Sequence, residues 1–446
     1  MSERTESKDE SAAAAEPAPP AGPAAAEQGS WIGPALAVVA ICGALGGWWW
    51  WNRPADLEQA RIYLDPALQL TYKAEPILKR YLRQHPGDPE ASQMLARCCA
   101  SRDDHEGAVR ALRTISGDPD QRAEGLFRAG QTLAAGKRNR DAHAIWLEVL
   151  AMPTDAPGVA NWQMECRREL ASAYALQRRR ADLWKLTEEM IAAAPPFERD
   201  APLMIRAQYE LSFIQPDAAL KELTPALDVD PEDVQSKRAI ARYEIERDKL
   251  AEARKTLAEC VAANPGDVTA LEDYCHALEK ESDLQGLKAA LAKAPKEERS
   301  ANLAYFRSLI AEGADDDLPR AIEETRLALK LRSEPEFHHR LGQLLLRAKR
   351  EDEGKRHLAR SQKIQSSLVK VREAIEDFKA RFNPADKRSA TLAANMATAL
   401  EQRERFEDAL HWHRLAFSID PTYAPSVAAL ERAAAERQAA ETQAGG

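Results

Sequence analysis

The chain has 446 residues, 62 basic and 71 acidic, with a net charge of −9 and 44% hydrophobic side chains. That length suits two or more ordinary domains or one elongated repeat array. Both signs of charge are spread nearly evenly, so no long-range field favours nucleic acid and no nucleic-acid partner is expected.

Residues 1–30 are rich in Ala, Pro, Glu and Ser and lack aromatics and any apolar period. They cannot bury enough surface to offset chain entropy, which predicts a disordered tail. The segment 31–51 is different. From Gly33 to Trp51 it reads GPALAVVAICGALGGWWWW without a charge. At about 1.5 Å per residue, Ile32–Trp51 covers roughly the 30 Å of a bilayer's hydrocarbon core. Trp31 on one side and Trp48, Trp49, Trp50 and Trp51 on the other mark its ends, as indoles do at lipid headgroups.

A single transmembrane anchor is therefore expected, in what reads as a bacterial plasma membrane. A cleaved signal fits less well, because the preceding residues are acidic, with only Arg4 and Lys8 as cations. Gly43 and Gly47 have the spacing that lets membrane helices approach closely, making self-association one use of this face. Arg53 and Arg61 follow the anchor, too few charges to fix which side holds the rest. Residues 52–70 are read as a linker and N-terminal cap.

From 71 to 424 the chain repeats. Pro231 and Pro265 stand 34 residues apart, and between them Ile240 and Ala241, then Ala253, Leu257 and Cys260, fall at helical spacing in two successive segments. The same slots recur at Met396, Ala397 and Leu400 with Ala409, His413, Ala416 and Pro421. Further units place Leu95 and Ala96 with Ala108 and Leu112, Gly130 and Leu133 with Ala142 and Trp146, and Leu341 and Gly342 with Leu358.

The segment Ser300–Pro335 fits loosely, with an acidic loop at Asp315–Asp317. Residues 362–387 exceed one period and predict an extra helical insertion, its stripe formed by Leu368, Val371, Ile375, Phe378 and Phe382. Residues 425–446 are expected to form a C-terminal capping helix and tail.

These slots resemble the tetratricopeptide repeat, in which small residues of paired helices face each other and a proline closes the unit. The resemblance implies an all-α, right-handed superhelical solenoid of about nine to ten helix pairs, with first helices lining a concave groove. Positions opposite the apolar stripe of those first helices nominate Arg97, Gln131, Arg168, Arg238, Arg242, His339, Gln343 and Arg347 as groove residues. Guanidinium groups there would suit an acidic or carboxylate-ending peptide. Some family members clamp chaperone tails with lysine and asparagine, but here Arg97, Gln131, Ser172, Arg242 and Gln343 stand where the asparagines would fall. A chaperone-tail adaptor is not supported.

Chemistry is sparse. No phosphate-binding glycine loop, His-Glu-x-x-His or Gly-x-Ser-x-Gly motif occurs, and His411 and His413 project about 200° apart on a helix, unsuited to sharing a metal. Neither an enzyme nor a bound cofactor or metal is expected. Cys98, Cys99, Cys166, Cys260 and Cys275 match no zinc spacing and read as small core residues. Cys260 and Cys275 lie on helices that should touch, and a disulfide there would indicate an oxidising compartment.

The leading expectation is a membrane-anchored, non-catalytic scaffold that presents a concave groove to a protein or peptide partner. The alternatives are an architectural or oligomerising membrane element, or a regulatory subunit of a membrane enzyme complex.

Overall fold

The computed structural model describes residues 56–65, 68, 70–154, 156–195, 198–211, 214–295 and 300–444. The chain divides into two units, Met1–Ala55 and Asp56–Gly446. The predicted tail, the anchor with Trp31 and Trp48–Trp51, and the Gly43/Gly47 face all lie outside the described residues. Among the described residues no helix is long and apolar enough to cross a membrane.

All 21 elements among the described residues are α-helices. A short α1 (Leu57–Tyr63) and α2 (Thr71–Gln84) precede successive pairs: α3 (Pro89–Ala100) with α4 (His105–Arg113), α5 (Pro119–Ala135) with α6 (Asn139–Leu150), and α7 (Pro157–Leu176) with α8 (Arg180–Ala193). Next come α9 (Asp200–Leu211) with α10 (Pro216–Val229), α11 (Val234–Glu246) with α12 (Leu250–Ala263), and α13 (Val268–Lys280) with α14 (Leu284–Leu291). The series ends with α15 (Ala301–Gly313) and α16 (Leu318–Leu331), α17 (Pro335–Arg347) and α18 (Glu351–Arg381), α19 (Ser389–Gln402) and α20 (Phe406–Ile419), then α21 (Ala424–Ala444).

The α11–α12 pair shows how the sequence builds a unit. Asp233 caps α11 by accepting from the Gln235 and Ser236 amides at 3.1 and 3.2 Å, satisfying N–H groups that the helix leaves open. Alternating small and large side chains, Ala239, Ala241, Tyr243 and Ile245, go inward. At Asp248 the backbone turns left-handed, φ 62°, and the Lys249 amide donates back to the Glu244 carbonyl at 2.9 Å. This bond ends one helix and aims the next. Ala253, Leu257 and Cys260, on one face of α12, then close onto α11.

The same left-handed residue recurs at the turns within pairs: Asp103, Lys137, Arg178, Asp248, Ser282, Asp316, Lys349 and Glu404, none of them glycine. Asp248, Ser282 and Asp316 are 34 residues apart in succession, so the period seen in the sequence is a period of backbone geometry. The loosely fitting segment after Ser300 is a regular pair. Ser300 and Asp317 cap its two helices through the Leu303 and Arg320 amides, at 3.2 and 3.0 Å, and the acidic loop is its left-handed turn.

Small residues set the helix crossings. A Cβ on Gly342 would lie 2.7 Å from Leu358 Cγ and 3.0 Å from the Gly354 carbonyl oxygen, so α17 and α18 meet backbone to backbone. Helix α18 runs unbroken for 31 residues. Its extension buries Val371, Ile375 and Phe378 in a core shared with Ile191 of α8, Leu203 and Ala207 of α9, and Trp412 of α20. The second half of the array thus returns to pack on helices about two hundred positions earlier, and the added length of α18 covers that seam.

The five described cysteines are free, buried thiols. Cys260 and Cys275 do not form the bridge that adjacent helices allowed. Cys260 is instead a small core residue of α12, and burial pushes the Cys275 thiol up to about 12.

Candidate interaction cavity

Where α18–α20 return onto α8 and α9 lies an open cavity of about 1330 Å3. Its wall combines α11, α13 and the start of α15 with three turns: Arg178–Asp182, Leu331–Phe337 and Arg403–Asp408. Tyr305 and Phe337, with ring centres 5.3 Å apart, supply an aromatic patch, and Phe406, 58% exposed, stands at the wall near the seam.

Most carboxylates of this wall are committed to nearby partners. Asp273, 3% exposed, faces Arg238 at 3.3 Å and a short contact from Arg242, which raises the Arg242 pKa. Burial pushes the Glu279 carboxyl upward, but hydrogen bonds from His276 at 3.1 Å and Tyr305 Oη at 2.8 Å outweigh it and hold the pKa below its ordinary value. Glu404 takes Arg360 at 2.5 Å and accepts from Ser333 Oγ at 2.5 Å. Asp182 pairs with Arg179 at 2.8 Å.

The seam is cationic and aromatic. Trp184 lies between Arg206, 4.2 Å from its ring centre, and Arg405 at 5.1 Å, both of which also pair with Asp408. Nearby, Arg180 Nη1 reaches Glu334 Oε1 at 3.3 Å, while Arg332 Nη2 donates to Asn302 Oδ1 at 2.6 Å. Burial lowers the pKa of Arg332 and of Arg403, and neighbouring guanidinium charges act in the same direction.

Of the eight groove residues nominated from sequence, Arg238 and Arg242 line this cavity and meet at Asp273. Arg97, Gln131, Arg168, His339, Gln343 and Arg347 are exposed and lie outside its wall. Gln131 donates to Glu169 at 3.1 Å, Arg168 pairs with Glu165 at 2.6 Å, and Arg347 contacts Glu312. Reading first-helix faces missed Arg180, Arg332, Glu334, Arg403 and Arg405 because they sit at turns and helix ends. The arginine run 178–180 was the one local signal for them.

Among the described residues no group of three or more His, Cys, Asp and Glu could hold a metal ion. Several histidines are packed: His338 and His357 bring their Nδ1 atoms within 2.9 Å, and His413 contacts Ser426 Oγ at 3.0 Å.

The tetratricopeptide repeat family model matches residues 73–129. The match falls on α2–α5, and the same helix-pair geometry recurs through the described residues as an α-solenoid. No curated protein matches the chain in sequence.

Three solved structures show its range of likeness. A tetratricopeptide repeat protein from Parabacteroides merdae is 16% identical, with 58% of this chain and 98% of that one covered and a TM-score of 0.29. A thermophilic TPR protein from Thermus thermophilus is 20% identical, covering 44% and 90%, with a TM-score of 0.28. Pseudomonas aeruginosa pilF is 15% identical, covering 52% and 96%, with a TM-score of 0.29.

Proposed function

We propose that this chain is a non-catalytic protein-interaction scaffold, tethered to a membrane by residues 31–51, whose open cavity receives an extended segment of a partner protein. The observation that carries the reading is the cavity itself, where charged turns and an aromatic patch from successive helix pairs converge on one space. Stacked helices supply surface rather than reactive groups, and extended concave surfaces are how solenoids bind. The tether rests on the length of the apolar run Ile32–Trp51 and its tryptophan borders.

Site-specific photocrosslinking tests the binding surface. A benzophenone amino acid at Phe406, on the cavity wall, should capture a partner in the native membrane, while the same group at Leu147, which is exposed away from the cavity, should not. Capture only at Leu147 would reject the cavity as the binding surface. For the tether, alkaline carbonate should leave the full chain in the membrane pellet and release a variant lacking residues 31–51. Self-association that disappears with Gly43→Leu and Gly47→Leu, without any crosslinked partner, would favour the architectural reading.

A further inference from the structure

Exposed large apolar side chains crowd at the N-terminal end of the array. Ile62, Leu68 and Tyr72 are each at least half exposed and fall within eleven residues, whereas the other seven among the described residues are spread from Leu147 to Phe417. Apolar residues scattered over a surface are ordinary, but a contiguous group marks a contact.

Backbone bonds bring the three together. The Leu70 amide donates to the Tyr63 carbonyl at 2.9 Å and the Leu68 amide to the Asp65 carbonyl at 3.0 Å, so the end of α1 and the start of α2 are clasped with Leu68 between them. On α1, Ala60 and Leu64 pack into the core, and Ile62, two residues from each, projects about 200° away. Ala74 and Leu78 do the same for α2 and leave Tyr72 outward. Lys73 Nζ stands 5.8 Å from the ring centres of both Tyr63 and Tyr72, an ammonium beside an apolar patch.

Charge does not account for the patch. From 56 to 75 the chain carries Asp56, Glu58, Asp65 and Glu75 against Arg61 and Lys73. Glu58 and Glu90 share Arg61 at 2.6 and 2.7 Å, and Glu75 takes Lys79 and Arg102, both at 2.7 Å. Any attraction to a surface here must come from apolar area. The length of the connector indicates which surface: the apolar run ends at Trp51, and the five residue steps to Asp56 span at most about 18 Å. So short a connector keeps α1 within reach of whatever surface the run enters.

We infer that Ile62, Leu68 and Tyr72 form a foot that settles among the headgroups and upper acyl chains of a zwitterionic lipid surface, with Lys73 reaching back to the phosphates. This rests on the tether reading and adds the surface by which the array itself meets lipid.

The test uses the full chain in phosphatidylcholine nanodiscs, with a benzophenone amino acid at Leu68, Tyr72 or Leu147 and lipid adducts read by mass spectrometry. Adduct yields at Leu68 and Tyr72 should exceed that at Leu147 about fivefold, as expected for side chains held in the interface. Ile62→Glu changes an exposed residue, so the melting temperature should hold while the Tyr72 adduct falls about threefold, because a charge resists entry into the acyl region. Replacing a third of the lipid with phosphatidylglycerol should leave the yields unchanged.

Yields at Leu68 and Tyr72 no higher than at Leu147 overturn the proposal. So do yields that Ile62→Glu leaves unchanged, which would mean that lipid reaches Tyr72 through tethering alone. A severalfold rise with phosphatidylglycerol overturns apolar insertion in favour of charge attraction, and protein adducts in place of lipid in native membranes overturn the lipid assignment. If alkaline carbonate leaves the full chain in the membrane pellet while no lipid adduct forms, the foot falls and the tether stands; if carbonate releases the full chain, both fall.

Discussion

Arg206 in α9 and Asp408 in α20 are 202 positions apart in sequence and 3.2 Å apart in space, with side chains 3% and 6% exposed. Arg206 Nε also donates to Thr187 Oγ1 at 2.9 Å, and Nη2 to Glu188 at 2.7 Å. One guanidinium thereby ties the first half of the array to its last pair. Arg206→Met should destabilise the fold by about 2 kcal/mol, because it takes one of the two cations from a buried carboxylate that keeps Arg405. Urea denaturation measures the loss, and small-angle scattering should show a larger radius of gyration as the seam opens. A change below about 1 kcal/mol would mean that the apolar core under the seam holds it alone.

Gly342→Ala should destabilise by about 1–2 kcal/mol. Alanine improves helix propensity by about 1 kcal/mol, but the new methyl would overlap Leu358 and crowd the Gly354 carbonyl, and overpacking costs up to about 3 kcal/mol. Thermal melting decides the sign. A stabilised variant would show that α17 and α18 do not cross this closely.

Lys349→Gly acts in the opposite direction. Lys349 is exposed with φ 61°, a left-handed conformation that strains any residue with a Cβ. Glycine should raise stability by about 0.5–1 kcal/mol, with unfolded-state entropy limiting the gain. Chemical denaturation of the variant beside wild type reads the difference.

Acidification should weaken the fold before carboxylates titrate. Burial holds His143 and His338 at about 4, below the 6.5 of a free imidazole. Between those values the unfolded chain binds protons that the folded chain refuses, so stability is full above about 6.5 and is lost as pH falls towards 4. The melting temperature should therefore drop between pH 7.5 and 5.5, and His143→Gln should flatten part of that slope. A flat profile across this range would mean that both imidazoles accept protons within the fold.

The sequence alone determined the helix pair and its period. Apolar residues at helical spacing and small residues at crossings act within about 34 residues, so Ala253 and Leu257 could be read without coordinates. Gly342 was likewise legible as a small-residue slot. Tertiary structure alone decided where the array closes. Arg238 and Arg242 were found because they lie on a first helix, but the six other nominated residues were not brought to the cavity, and Arg332, Glu334 and Arg403 were missed. Local rules fix which face of a helix turns inward, whereas the small rotation from each pair to the next accumulates over many repeats. That accumulated rotation brings Arg206 to Asp408 and Arg180 to Glu334, and no window of sequence contains it.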